Sequence, residues 1–91
     1  MLQPGHTDLE IARCEYNLGI YAHRLGNIAL SQMHHRRAMY IRETNKNTDP
    51  EDMYLSANAM GSLMWYASKY DSAATLYTKA LDALKRCRTI L

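Results

Sequence analysis

The chain has 91 residues, 47% of them hydrophobic, and a formal net charge of +2 at pH 7. This length excludes a second domain, and so small a charge does not by itself indicate a nucleic-acid or membrane partner. Two cysteines, the lack of a hydrophobic leader and the lack of an apolar run near the ~18 to 20 residues of a membrane span favour a soluble cytosolic or nuclear protein.

The first half of the chain predicts two helices. Residues 1–6 are predicted to be a linker that runs into a cap at Thr7, and the first helix follows over about 8–23. Residues 26–27, Gly-Asn, predict a turn in which Gly adopts the left-handed backbone and Asn caps the next helix. The second helix covers roughly 28–43, and its apolar residues spread over more than half of its perimeter. That spread predicts an interior helix packed on two sides.

The second half repeats this pattern. Residues 44–49 form a polar loop that ends in a cap at Asp49, and Pro50 begins the third helix. A turn at 68–69 precedes a fourth helix, which is predicted to run to the end of the chain. No segment alternates as a strand does. We therefore predict an all-α fold of four helices in two antiparallel helix-turn-helix hairpins, within a single domain over 1–91.

The two hairpins are copies of one unit. Landmarks that fall 42 residues apart include Thr7 and Asp49, Gly19 and Gly61, and Ala38 and Ala80. We place repeat 1 at about 7–43, a linker at 44–49 and repeat 2 at about 50–88. A unit that cannot bury its own hydrophobic face stacks on copies of itself, and such proteins usually bind other proteins.

These residues resemble the tetratricopeptide repeat. The resemblance rests on Leu18-Gly19, Gly26, Ile28 and Ala38 in the first copy and on Met60-Gly61, Tyr70, Ala73, Tyr77 and Ala80-Leu81 in the second. The usual period of that family is ~34 residues, so the 42-residue spacing resembles the longer-helix subtype typified by kinesin light chain. Residues 4–8 also look like the loop between repeats of that subtype. The resemblance implies a fragment of a right-handed α-solenoid, and an unrelated four-helix bundle is the alternative.

Repeat 1 is the looser copy, because it has Ser31 and His35 where repeat 2 has Ala73 and Tyr77. About three repeats are normally needed for a stable stack. The last residues, 85–91, show no glycine stop and no polar capping helix. We therefore expect a piece of a longer array, or an oligomer that supplies the missing neighbours.

The resemblance implies a groove, lined by the first helix of each repeat, that binds a peptide or a partner surface. The residues that fall in this groove are Arg13, Tyr16, Asn17, Ile20, His23 and Arg24 in repeat 1 and Leu55, Asn58, Ser62, Trp65 and Tyr66 in repeat 2. Arg, Tyr and Trp are frequent interface hot spots, and an Asn side chain can clamp a backbone amide. The alternative for Trp65 and Tyr66 is packing on the adjoining helix.

The carboxylate clamp with which some members of the family grip an acidic C-terminus does not fit. In one register Tyr16 replaces its lysine, and in the other Leu55 replaces a basic residue. The ligand that we expect is an internal peptide with an apolar or aromatic anchor and acidic flanks, read by Arg13, His23 and Arg24.

The cluster His34-His35-Arg36-Arg37 is the other conspicuous feature. Adjacent helical residues diverge by about 100°, so the two histidines are poorly placed to share a metal, and we predict no metal and no cofactor. His35 is predicted to face inward, and the other three are predicted to face solvent or a neighbour. In an apolar seam His35 would resist protonation, so mild acidification is expected to loosen repeat 1. With Arg42, Lys46 and residues 85–88, the cluster would in an alternative hypothesis form a basic surface for nucleic acid.

Nothing in the sequence indicates an enzyme. It has no glycine-rich phosphate loop, no paired acids in an apolar setting and no Cys-His arrangement within reach of proton transfer. We predict a non-enzymatic protein–protein interaction module. The alternative is an oligomerisation or spacer module that self-associates through exposed repeat ends, on the first and fourth helices.

Overall fold

The computed structural model describes residues 4–88, apart from the side chains of 4–7 and 88. Its helices are α1 (Pro4–Arg24), α2 (Ile28–Thr44), α3 (Pro50–Tyr66) and α4 (Tyr70–Arg88). Within these described residues no strand occurs, and the all-α prediction is confirmed. The chain divides into two compact units, Met1–Thr48 and Asp49–Leu91. Each unit is one helical hairpin, α1 with α2 and α3 with α4.

Helix α1 begins earlier than predicted. Residues 4–6, the expected linker, are helical, and Thr7 lies inside α1 rather than at its cap. Proline lacks an N–H, but the first N–H groups of a helix have no partner within it, and the fixed φ of proline suits the first turn. Pro4 therefore starts the helix where the sequence pattern predicted a break, and residues 4–8 are not a loop. Residues 1–3 of the predicted linker lie outside the described residues.

The turn between α1 and α2 forms as predicted. Gly26 adopts the left-handed backbone with a φ of +83°, and its N–H donates to the carbonyl oxygen of His23 at 3.0 Å. The N–H of Asn27 donates to the carbonyl oxygen of Ala22 at 2.9 Å. The Asn27 side chain accepts a hydrogen bond from the N–H of Leu30 at 3.1 Å. These bonds satisfy carbonyl groups at the end of α1 and one N–H at the start of α2.

The turn between α3 and α4 has the same geometry with a different residue. Ser68 has a φ of +64°, and its N–H donates to the carbonyl oxygen of Trp65 at 3.0 Å. The N–H of Lys69 donates to the carbonyl oxygen of Met64 at 2.8 Å. A residue with a Cβ atom is strained in this conformation by about 1 kcal/mol relative to glycine. The predicted turn at 68–69 is confirmed, and it carries strain at Ser68.

The start of α3 differs in detail from its prediction. Asp49 holds the N-cap position, but its side chain makes no capping hydrogen bond. Its carbonyl oxygen accepts the N–H of Met53 at 3.1 Å. Pro50 follows at the first helical position and has no N–H for a cap to satisfy. The position of the predicted cap is therefore confirmed, and its side-chain bond is absent.

A glycine lets the two helices of each unit approach closely. A Cβ atom on Gly19 would lie 2.7 Å from Cδ2 of His35, and one on Gly61 would lie 2.8 Å from Cε1 of Tyr77. The two glycines are 42 residues apart in the sequence (61 − 19 = 42), and the two rings are also 42 residues apart (77 − 35 = 42). The repeat in the sequence is thus also a repeat in side-chain packing.

Small side chains fill most of the interior of the two hairpins. The buried alanines are Ala12, Ala22, Ala38, Ala57, Ala73, Ala80 and Ala83. The prediction that α2 is packed on two sides is wrong in part, because Met33 and Tyr40 are exposed. An apolar pattern shows which face of a helix is hydrophobic, but it does not show whether another element covers that face.

Candidate protein-binding surface

The predicted groove residues of α1 lie on one side of the helix. At 100° per residue, the six positions fall within an arc of about 120°. Arg13, Asn17, His23 and Arg24 are exposed, and Ile20 is half-buried. This side of α1 therefore presents cationic and amide groups around one partly covered aliphatic side chain.

Tyr16, the sixth of these residues, packs back onto α2. Its ring meets that of His35 edge-on, with 5.2 Å between the ring centroids. Cζ of Arg42 lies over the same ring, 5.1 Å from its centroid. His35 and Arg42 are buried and Tyr16 is half-buried. Tyr16 thus forms part of the packing between α1 and α2 and is only partly accessible to solvent.

On α3 the predicted residues divide into covered and open ones. Leu55, Asn58 and Ser62 are half-buried, and Oγ of Ser62 lies 3.2 Å from Oη of Tyr77 on α4. Trp65 packs edge-on against Tyr70, with 4.9 Å between the ring centroids, yet it remains 55% exposed. Trp65 therefore contacts the adjoining helix, as its alternative interpretation expected, and is still exposed to solvent.

Tyr66, the last predicted residue, is exposed next to Trp65 at the end of α3. The two rings give unit 2 an accessible aromatic pair, where α1 presents cationic groups. Whether any of the eleven predicted residues contacts a ligand stays a prediction.

His35 faces inward, as predicted, and is almost fully enclosed at 2% exposure. Its Nδ1 has no hydrogen-bond partner among the described residues. Burial lowers the pKa of His35 to about 4, and the positive charges of His23, His34 and Arg42 lower the pKa in the same direction. Close to Gly19, Oγ of Ser31 donates to the Gly19 carbonyl oxygen at 2.7 Å. Repeat 1 therefore has Ser31 and a neutral His35 in its interior where repeat 2 has Ala73 and Tyr77.

The remaining residues of the basic cluster point away from that interior, and two of them share an acidic partner that sequence reasoning missed. Nδ1 of His34 lies 2.5 Å from Oε1 of Glu15 on α1. Nη1 of Arg37 lies 3.6 Å from Oε2 of the same carboxylate. Glu15 offsets part of the positive charge that the sequence places at 34–37. In the portion of the chain with described side chains, no group of three or more His, Cys, Asp or Glu residues could hold a metal ion.

Two surface depressions lie where α1 meets α2, and no sequence pattern indicated them. One, of about 410 Å³, is lined by Glu15, Arg36, Arg37, Tyr40 and Ile41. The other, of about 520 Å³, is lined by Asp8, Tyr40, Ile41 and residues 44–47. Because Tyr40 and Ile41 line both, the two depressions are adjacent, and we refer to them together as the channel of this hairpin.

Over residues 4–88 no helix has the length and hydropathy to cross a membrane.

Comparison with known proteins identifies the family to which the two hairpins belong. The family model described as "Tetratricopeptide repeat" matches residues 10–86, which is most of the chain and extends into all four helices. The protein therefore belongs to the tetratricopeptide repeat family. Repeats of this family are typically non-enzymatic and generally mediate protein–protein interaction. No curated protein and no solved structure matches the chain.

Proposed function

We propose that this protein holds a peptide or partner surface in a groove formed by the first helices of its repeats, α1 and α3, as part of a longer repeat array. The observation that carries the proposal is the exposed pair of aromatic rings, Trp65 and Tyr66, on the predicted side of α3. Large aromatic side chains at a surface lose much solvent-accessible area on binding and are typical hot spots. The proposed role is noncovalent, in the cytosol or the nucleus.

The chemistry of the two helices indicates the kind of ligand. Arg13, His23 and Arg24 are exposed on α1, whereas the exposed site residues of α3 are Trp65 and Tyr66. A peptide with an apolar or aromatic anchor and acidic flanks complements both sets. The 42-residue spacing supports the long-helix subtype of the family typified by kinesin light chain.

Selection of a random peptide phage library against the folded chain tests this function. The double variant Arg24→Ala, Trp65→Ala is selected in parallel, and Arg36→Ala, Tyr40→Ala on α2 is the matched control with one exposed arginine and one exposed ring removed. We expect a shared motif that the groove variant loses and the control keeps. If the folded chain enriches no motif, or if the groove variant enriches the same one, the proposed groove is wrong.

Self-association through exposed repeat ends is a second candidate function, and comparison of equivalent positions favours it. Leu18 on α1 is 48% exposed, whereas its equivalent Met60 on α3 is 7% exposed. Leu81 on α4 is 51% exposed, whereas its equivalent Met39 on α2 is 5% exposed. The first and last helices thus expose apolar side chains at positions where α2 and α3 bury them. Size-exclusion chromatography with light scattering measures the resulting mass, and a monomer at every concentration would exclude this candidate.

A further inference from the structure

The channel along α1 and α2 carries two acidic residues that have no acidic equivalent in repeat 2. We define the α1–α2 seam as Asp8, Glu15, Arg36, Arg37, Tyr40, Ile41 and Lys46. Positions that the fold fixes recur in repeat 2, as Gly19 recurs in Gly61. In contrast, the equivalents of Asp8, Glu15 and Tyr40 are a proline, an alanine and an aspartate. Arg36 is replaced by a threonine, whereas the charges of Arg37 and Lys46 recur in Lys79 and Arg88. Repeat 2 therefore serves as an internal control, and it shows that the acidic residues and the exposed ring of the seam are additions to the fold.

The charges of the seam are sorted by helix. Its acidic residues, Asp8 and Glu15, are both on α1. Its basic residues lie on α2 and in the loop that follows, with Arg36 and Arg37 at the level of Glu15 and Lys46 at the level of Asp8. The seam thus has one acidic wall and one basic wall along the same channel.

The centre of the seam is apolar and open. Tyr40, which is 68% exposed, and the half-buried Ile41 lie between the two charged ends of the channel. Among the described side chains Arg36 has no ion-pair partner, and Arg37 pairs with Glu15 only at 3.6 Å. The exposed Tyr40 ring therefore lies beside cations whose charge is only partly neutralised. A partner that covered this surface would bury the ring and supply anions to the two arginines.

We propose that the seam binds the seam of a second copy of this chain around a two-fold axis parallel to the helices. Rotation about that axis places α1 of each copy over α2 of the other and keeps every residue at the same height along the helices. Asp8 then faces Lys46 of the other copy, Glu15 faces its Arg36, and the two Tyr40 rings meet near the axis. A two-fold axis across the helices would instead bring Asp8 against Glu15 and Lys46 against Arg36. The charges select the first arrangement, which is an isologous dimer.

The seam is small for a protein–protein interface. A 17-residue helix such as α2 is about 25 Å long, and two packed helices are roughly 20 Å wide. The resulting area of about 500 Å² per copy is below the ~800 Å² of a standard stable interface. We therefore expect a weak dimer that weakens further with added salt, because exposed ion pairs are screened. This inference rests on self-association, the second proposed function, but places the contact at the seam rather than at the repeat ends.

Sedimentation equilibrium of the whole chain tests the dimer through two charge reversals, Asp8→Lys and Lys46→Glu. Both side chains are exposed and neither holds the hairpin together. Each variant alone replaces two attractions across the axis by two repulsions, so each homodimer weakens about tenfold. In an equimolar mixture of the two variants, the introduced lysine of one chain faces the introduced glutamate of the other, and the unchanged Asp8 and Lys46 side chains also meet. The mixture therefore recovers the affinity of the wild-type chain.

The same charge changes on exposed α4 positions, Asp82→Lys and Lys85→Glu, are the matched controls and leave the dimer unchanged. A wild-type chain that is monomeric at every concentration would overturn both the seam and the self-association function. Assembly that both seam variants retain at full strength would overturn the seam alone, because self-association would then use the repeat ends. Circular dichroism of each variant confirms that its helices are intact.

Discussion

His35 and Tyr77 show how one substitution changes a repeated position. Both rings lie against an equivalent glycine, but Oη of Tyr77 reaches a hydroxyl group on α3, at 3.2 Å from Oγ of Ser62. The smaller His35 ring is sealed between its helices, and its Nδ1 meets no partner among the described residues. A buried imidazole of this kind is stable only when it is neutral.

Acidification is therefore expected to destabilise the first unit. The pKa of His35 is about 4 in the folded chain and 6.5 when the residue is unperturbed, so the unfolded chain binds more protons between these values. Stability contributed by the neutral ring is fully present above pH 6.5 and is lost as the pH falls toward 4. From pH 7.5 to 5.5 the free energy of unfolding should fall by about 1 kcal/mol, measured by urea denaturation. His35→Tyr, which copies repeat 2, should lose most of this pH dependence, and an equal dependence in that variant would contradict the assignment.

The two glycines provide a comparison in side-chain packing. Gly19→Ala places a methyl group 2.7 Å from a His35 ring that is buried and cannot move aside, so we expect a loss of about 2 to 3 kcal/mol. Gly61→Ala meets the Tyr77 ring at 2.8 Å, but Tyr77 is 37% exposed, so we expect its ring to move outward. Its cost should be nearer 1 kcal/mol, about the low end for such an insertion. Thermal denaturation of both variants checks the order, and equal losses would show that exposure of the ring does not matter.

At the scale of elements, the two turns share one backbone conformation but have different residues at the position with a positive φ. Gly26 is relaxed at its positive φ, and Ser68 is not. Ser68→Gly is expected to stabilise the second unit by about 0.5 to 1 kcal/mol, because relief of strain exceeds the greater entropy of glycine in the unfolded chain. Gly26→Ser, the reverse change, should destabilise the first unit by a similar amount. Chemical denaturation measures the free energy of unfolding of both variants. A Ser68→Gly variant that is less stable than the wild-type chain would show that Ser68 is not strained.

A structural feature could be predicted from the sequence when the interactions that form it join residues close together in the chain. Both turns and the inward side of His35 were predicted, because capping and helical periodicity depend on residues a few positions apart. The start of α1 was not, since Pro4 suits either a break or a first turn. The pairing of Glu15 with His34 joins residues 19 positions apart. It depends on the rotation of α1 relative to α2, which no local pattern specifies.

The whole chain presents two surfaces of different chemistry on opposite sides of α1. Arg24 belongs to the proposed groove and Glu15 to the seam, and at 100° per residue they point about 180° apart. Peptide binding and dimer formation are therefore compatible. Asp8→Lys should bind a selected peptide with the affinity of the wild-type chain while its dimer is about tenfold weaker. Calorimetric titration of this variant checks the separation, and a matched loss of both activities would mean that the surfaces are coupled.

The central claim is that the exposed rings of α3 and the cations of α1 read one peptide. The chain has a single tryptophan, and Trp65 is 55% exposed, so its fluorescence reports directly on the proposed site. The most direct measurement is a fluorescence titration with the peptide enriched by selection, on the wild-type chain and on Arg24→Ala. We predict a saturable blue shift of the Trp65 emission and a dissociation constant for the variant that is weaker by about tenfold or more. A peptide that binds without changing the emission, and equally well to Arg24→Ala, would contradict the claim.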